Sequence, residues 1–225
     1  MTAPVRLSDA PDWRYLLREF HDHYRALSSG GSKPIRTHQR NVRARITSLV
    51  RANPEIAPTE PTPKPVTAHL RRALDRGRAA SGGSFIRAID AVAHTLEWQY
   101  GYDKVSAGLA NKYAFAEFAG PRGPVRSHDL ILGLVLFAPG CIYPAHAHEG
   151  ITESYVCLSG ATSENDAGVY GPGSLIFNAP GHMHRITVSD REPSLLAWAW
   201  EGSREALQSQ KMVFSRPRAG RPSAR

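Results

Sequence analysis

Apolar residues recur at intervals of three and four over the first hundred positions, then in short bursts from about residue 112 onward. The first texture is helical and the second is that of strands. In DWRYLLREFHDHYRAL, Trp13, Leu16, Leu17, Phe20 and Tyr24 fall on one helical stripe. Asp9 or Asp12 is placed to cap its start, and SSGGSK ends it. A second helix is predicted over about 35–52. The prolines of NPEIAPTEPTPKP then forbid helix, because each removes a donor. A third helix is predicted over about 67–79 and a fourth over about 85–98, the latter with Ile86, Ile89, Ala93 and Leu96 inward.

The bursts that follow are KYAFAEFAG, LILGLVLFAPG, TESYVCLSG, GSLIFNAPG, HRITVS and SLLAWAWEG. They are rich in aromatic and β-branched residues and bounded by Gly, Pro, Asn or Asp. Six or more such strands without intervening helices predict an antiparallel sandwich or barrel. The expected layout is a helical N-terminal region over 1–105, a β-barrel over 106–204 and a basic, disordered tail over 205–225.

Composition and charge change this picture little. The 225 residues are 41% hydrophobic, enough for a substantial core. The net charge of +8 is uneven: residues 1–80 hold 15 Lys/Arg against 7 Asp/Glu, and residues 81–210 hold 8 against 13. A basic front half invites comparison with nucleic-acid binders, but no nucleic-acid motif accompanies it, so a solvated arginine-rich helix surface is expected and no nucleic-acid partner. No apolar run approaches the ~20 residues of a membrane helix, and the N-terminus has no secretory apolar segment. The two cysteines, Cys141 and Cys157, imply no disulfide framework. The expectation is a cytoplasmic protein without membrane contact. A homodimer is among the expected assemblies.

YPAHAHEGITESY, residues 143–155, concentrates side chains that hold metals or move protons. His146 and His148 are two apart, so in a strand they share a face, and so do Glu153 and Tyr155. The EGI turn between the pairs lets both face one point. His184 opens a later strand after the Pro180–Gly181 turn. Three imidazoles and a carboxylate suit one divalent transition metal ion, whether Fe, Mn, Zn, Ni or Co, and leave positions open for a substrate. His182 is expected at the lip. Cys157 is expected as a buried inert thiol. His21, His23, His38, His69, His94 and His128 have no comparable partners and are expected on the surface or on helix faces.

These residues carry a family resemblance. Gly140, Pro144, His146, His148 and Glu153, with Gly160 closing the hairpin, resemble the first cupin motif, and Pro172, Gly173, Asn178, Pro180 and His184 resemble the second. Asn178 stands where an aliphatic residue or proline is more usual. YPAHAH…ESY, the opening Trp–Leu–Phe stripe, NKYAFAEFAGPRGPVRSHDLILGLVLFAPG and LLAWAWEG are similar to the cupin-type dimethylsulfoniopropionate lyases, over roughly residues 95–202. The resemblance implies a double-stranded β-helix, or jelly-roll, barrel and a carbon–sulfur lyase that yields dimethyl sulfide and acrylate by β-elimination. It implies Tyr155 as base and Tyr143 as helper. One departure is that four residues separate His148 from Glu153, where lyases of this group usually have three.

The chemistry is consistent with that implication. A metal that holds the substrate carboxylate stabilises the enolate-like charge, and the base must reach the adjacent carbon. A small zwitterionic sulfonium substrate also needs a cation site. Trp198 and Trp200, two apart and on one face, are placed to supply aromatic walls. Two other readings stay open: a metal-dependent cupin dioxygenase or isomerase of a small carboxylate, and a non-enzymatic ligand sensor.

Overall fold

The computed structural model describes residues 4–81, 83–101 and 104–214. Helices α1 (Pro11–Ala26), α2 (Lys33–Ala52), α3 (Leu70–Ser81) and α4 (Ser84–Val92) come first, and a short α5 (Ala107–Ala110) precedes the strands. The strands are β1 (Tyr113–Gly120), β2 (Val125–Arg126), β3 (Ile131–Phe137), β4 (Ile142–His148), β5 (Ile151–Ser159), β6 (Thr162–Glu164), β7 (Val169–Tyr170), β8 (Leu175–Asn178), β9 (His184–Val188), β10 (Ser194–Gly202) and β11 (Met212–Phe214). Helix α6 (Arg204–Ser209) lies between β10 and β11.

Two sheets form, with orders β2-β1-β3-β10-β5-β8 and β11-β4-β9-β6-β7. Their facing sides enclose a core that includes Tyr113, Val135, Phe137, Ile176, Ile186 and Trp198. The six-stranded sheet is also covered on its outer side. Ala114, Ala116, Phe118, Leu132, Leu134, Leu136, Val156, Leu158, Leu195 and Ala197 belong to a second core, shared with Trp13, Leu16, Leu17, Phe20 and Ile89 of the helices. This explains why ILGLVLF is buried at every position: alternate residues face the barrel and the helices. The molecule is therefore mainly β with a helical N-terminal region.

The expected α1 stripe is buried along its whole length. Neither Asp9 nor Asp12 caps it. The N-cap is Ala10, Pro11 occupies the first turn, and the Asp9 carboxylate accepts the Arg6 amide instead. The fourth helix is shorter than its periodicity suggests. It ends at Val92, a single 3-10 turn covers Ala93–Thr95, and Trp98 donates its amide to Thr62 in an extended segment. Residues 205–214 are not the disordered tail expected: α6 is capped by Ser203, and β11 pairs with β4, Met212 opposite His148 and Phe214 opposite His146. The short apolar triplet was masked by the Arg- and Pro-rich composition that follows it, and residues 215–225 lie outside the described residues. No helix among the described residues is long and apolar enough to cross a membrane.

Candidate metal centre

The centre is built by β4 and β5, consecutive strands that belong to opposite sheets, and by β9, the antiparallel neighbour of β4. His146 and His148 lie on β4, and Glu149–Gly150 then turn the chain into β5, with Gly150 at φ 69°, where a side chain is disfavoured. Two of the four residues between His148 and Glu153 thus make the turn and two lie in the strand. On β5, Ile151, Glu153 and Tyr155 alternate towards the barrel interior. β9 pairs with β4 and brings His184 opposite His146. The ligand-type nitrogens of His146, His148 and His184 all lie within 4.8 Å of one another, and all three side chains are buried.

The fourth expected ligand joins them. Glu153 Oε2 is 3.0 Å from His184 Nε2, and Oε1 is 3.6 Å from His148 Nε2. The tautomers favour coordination. His146 Nδ1 lies 2.9 Å from the Pro144 carbonyl and His184 Nδ1 3.0 Å from the His182 carbonyl. Each Nδ1 therefore carries the proton, leaving Nε2 as the lone-pair donor. His148 Nδ1 and Nε2 are buried without a hydrogen-bond partner, and His184 Nε2, with its lone pair turned to the Glu153 carboxylate, makes no hydrogen bond. Buried imidazoles left unpaired are costly unless something binds them, so the donor set fits a divalent cation.

Charge is arranged to match. Burial, and then the His184 imidazole, push His146 down to about 3, which keeps it neutral and able to ligate. Burial also lowers His148. In His184 burial acts the same way, but the Glu153 carboxylate outweighs it and raises the imidazole. Burial would raise the Glu153 carboxyl, yet the three imidazoles hold it well below its usual range.

The centre opens into a cavity of about 340 Å³, within the size of small-molecule sites. Tyr143, Tyr155, Trp198 and Trp200 all line it, so the expected catalytic and substrate-binding residues surround one space with His146, His148 and Glu153. Tyr155 is almost fully buried, and burial and the Glu153 carboxylate raise its phenol well above the ordinary value. Tyr143 Oη donates to Tyr113 Oη at 3.4 Å, and the Tyr143 ring packs edge-on against His146. Trp198 and Trp200 lie side by side with ring centres 4.7 Å apart.

Several parts escaped sequence reasoning. Trp200 Nε1 donates to Glu153 Oε1 at 2.7 Å, and its ring packs 4.3 Å from His148. Its indole thus holds Glu153 and His148 in place as well as lining the cavity. Asn178 Nδ2 donates to Glu153 Oε2 at 3.2 Å and to Glu164 Oε2 at 3.0 Å. Its unusual identity within the second motif was the available signal. Gln210 and Met212 close one side of the cavity, and Gln210 donates to the buried Glu117 at 2.7 Å. His182 is exposed beside the turn, as expected of a lip residue. Cys157 is fully buried, and burial pushes its thiol up to about 12. His38 is buried rather than superficial, because it lies where α2 meets β5 and β10.

Known proteins resemble this chain in sequence and shape. A family model described as dimethylsulfoniopropionate lyase matches residues 37–196. A curated protein of Cereibacter sphaeroides, provisionally named dimethylsulfoniopropionate lyase DddL, is 54% identical over 217 residues, covering 96% of this chain and 94% of that protein. The crystal structure of the DMSP lyase DddQ from Ruegeria pomeroyi superposes with a TM-score of 0.68 at 20% identity, over 93% of this chain and 99% of its own. A chain from the crystal structures of the DMSP lyases RdDddP and RnDddQII gives 0.64 at 22% identity, over 92% and 99%. At that identity the two structures speak to fold, which is the cupin double-stranded β-helix preceded by helices.

Proposed function

Because the chain belongs to the dimethylsulfoniopropionate lyase family, we propose that it cleaves dimethylsulfoniopropionate into dimethyl sulfide and acrylate by β-elimination, with His146, His148, Glu153 and His184 as ligands of one divalent transition metal. The observation that carries this reading is the convergence of four candidate metal donors at the edge of one cavity that a buried tyrosine and an aromatic wall also line. A bound cation would take the substrate carboxylate, stabilise negative charge on the adjacent carbon and draw the neighbouring phenol towards its phenolate.

The protein's own groups supply the rest. Tyr155 shares the inward face with Glu153, and its oxygen is the acceptor for the proton on the carbon next to the carboxylate. The electron pair released there forms the double bond, and the carbon–sulfur bond breaks with its pair on sulfur. Neutral dimethyl sulfide leaves, and acrylate remains. Trp198 faces the onium group and keeps water away from it. Tyr143 lines the cavity beside His146 and orients the substrate.

Headspace measurement of dimethyl sulfide from the purified, metal-loaded protein tests the reading. Turnover should be equal in air and under anaerobiosis, since elimination consumes no oxygen. Tyr155→Phe should retain the fold and the metal yet lose activity on the order of 10²–10⁴-fold, with a smaller loss for Tyr143→Phe. Product formation that requires oxygen uptake would favour the dioxygenase reading instead. A Tyr155→Phe enzyme with near-normal turnover would move the base elsewhere.

A further inference from the structure

Behind the strand that carries Glu153 and Tyr155 lies a buried polar cluster that the proposed reaction does not use. Ser154 points the opposite way from its neighbours, out of the barrel and towards the helices. Its Oγ is 2.8 Å from Tyr24 Oη on α1 and 2.8 Å from His38 Nε2 on α2. On the other side of the imidazole, His38 Nδ1 lies 3.0 Å from Glu201 Oε1 on β10. Asn41 donates to the same Glu201 oxygen at 3.4 Å, and Arg45 Nε stands 3.9 Å from Oε2. The serine–histidine–glutamate order resembles a hydrolytic triad. Ser154 is 0% exposed and His38 1%, however, so no external substrate can approach the hydroxyl.

Register shows what the cluster can do. Glu153 and Ser154 are consecutive on β5, and Trp200 and Glu201 are consecutive on β10, with Trp200 paired opposite Glu153. On each strand the inward residue belongs to the metal centre and the next, outward residue belongs to the cluster. Glu153 and Trp200 also bond to each other across the pair. A shift of either strand towards or away from the helices would therefore move a proposed ligand carboxylate and the indole that orients it. The contacts can be ordered: Tyr24 can donate to Ser154 and Ser154 to His38 Nε2, while Nδ1 faces the Glu201 carboxylate in an electrostatic contact. A chain of this kind loses its order when one member is removed.

We propose that His38, Ser154, Tyr24 and Glu201 form a positioning device, through which helices α1 and α2 set the height of Glu153 and Trp200 in the barrel. The inference rests on the metal-centre reading. It assigns to the helical region a part in holding the cation, beyond covering the sheet.

The test uses cobalt(II) as probe on the full-length protein, with affinity from competition with a chelator, the visible spectrum of the bound ion, and the thermal midpoint of the metal-free protein. Ser154→Ala and His38→Ala should each weaken cobalt binding ~10–100-fold, the usual effect of losing a group that supports a ligand, and should alter the visible bands. The double variant should bind about as well as the weaker single, because both act through one device. Tyr24→Phe removes one oxygen and should fall between wild type and Ser154→Ala, and it decides the matter if the other variants do not fold. Glu192→Gln is the control. It releases Arg72 and Arg76, held at 2.9 and 3.1 Å, which tie α3 to the barrel away from the centre. Cobalt binding by that variant should match wild type. Folded variants with a lower thermal midpoint but wild-type affinity and spectrum would overturn the positioning role and leave the metal centre standing. A wild-type protein that binds no cobalt would overturn both.

Discussion

Trp200 and Trp198 are indistinguishable in sequence: two indoles two positions apart, facing the same way. Only the structure separates them. Trp200 commits its N–H to Glu153 and its ring to His148, whereas Trp198 packs against Phe115 and Trp200. Trp200→Phe keeps an aromatic wall but loses a hydrogen bond to a carboxylate. It should cost metal affinity on the order of 10–100-fold, read by equilibrium dialysis. Trp198→Leu should retain metal and raise KM for an onium substrate, since it loses the ring proposed to face the cation. Equal metal retention in the two variants would erase the distinction. The contrast shows what is legible at this scale. Metal-ligand candidates are confined to a few chemical types at fixed spacing, so His146, His148, Glu153 and His184, the proposed ligands, can be picked from the chain. Residues that orient them need only one donor, so Asn178, Trp200 and Ser154 carry no comparable mark. His38 illustrates the limit most sharply, since a histidine on a basic helix reads as solvated until its partner Ser154, 116 residues away, is known.

Among elements, those with a strong period are readable and those defined by a partner are not. The α1 stripe and the six long bursts announce themselves through burial. β11 is three residues long and exists because β4 offers it an edge. The end of α4 is likewise set by pairing between Thr62 and Trp98 rather than by its own sequence. β3 holds a subtler case. Gly133 sits in the middle of a buried strand, where glycine is normally unfavourable. A Cβ there would lie 2.5 Å from the Trp198 ring and 2.5 Å from the Ala116 carbonyl. The strand gives up side-chain packing to seat the indole that walls the cavity. Gly133→Ala should therefore destabilise the fold by about 1–3 kcal/mol, as overpacking does, and displace Trp198. Chemical denaturation and the near-ultraviolet circular dichroism of the tryptophans would report both effects. Unchanged stability together with an unchanged tryptophan signal would contradict the seating role.

For the molecule as a whole, the alternation of β3, β5 and β10 joins two cores into one structure. Inward residues make the barrel and outward residues bind the helices. The sequence boundary near residue 105 marks a change of texture, while the buried outer face of the sheet crosses it. The tie from Tyr24 to Ser154 spans 130 residues and that from His38 to Ser154 spans 116. Such separations have a kinetic consequence. Closing loops of this length is entropically costly, so contacts across them are favoured only after local structure has formed. The histidines of β4 can approach Glu153 through one tight turn, but the support proposed for Glu153 needs segments more than a hundred residues apart to meet. During refolding from denaturant, far-ultraviolet signal from the helices should return first, and the capacity to bind cobalt(II) tightly should follow in a slower phase. Stopped-flow dichroism alongside a cobalt absorbance trace would show whether the two phases separate; simultaneous recovery would mean that the long-range ties are already closed when the helices form.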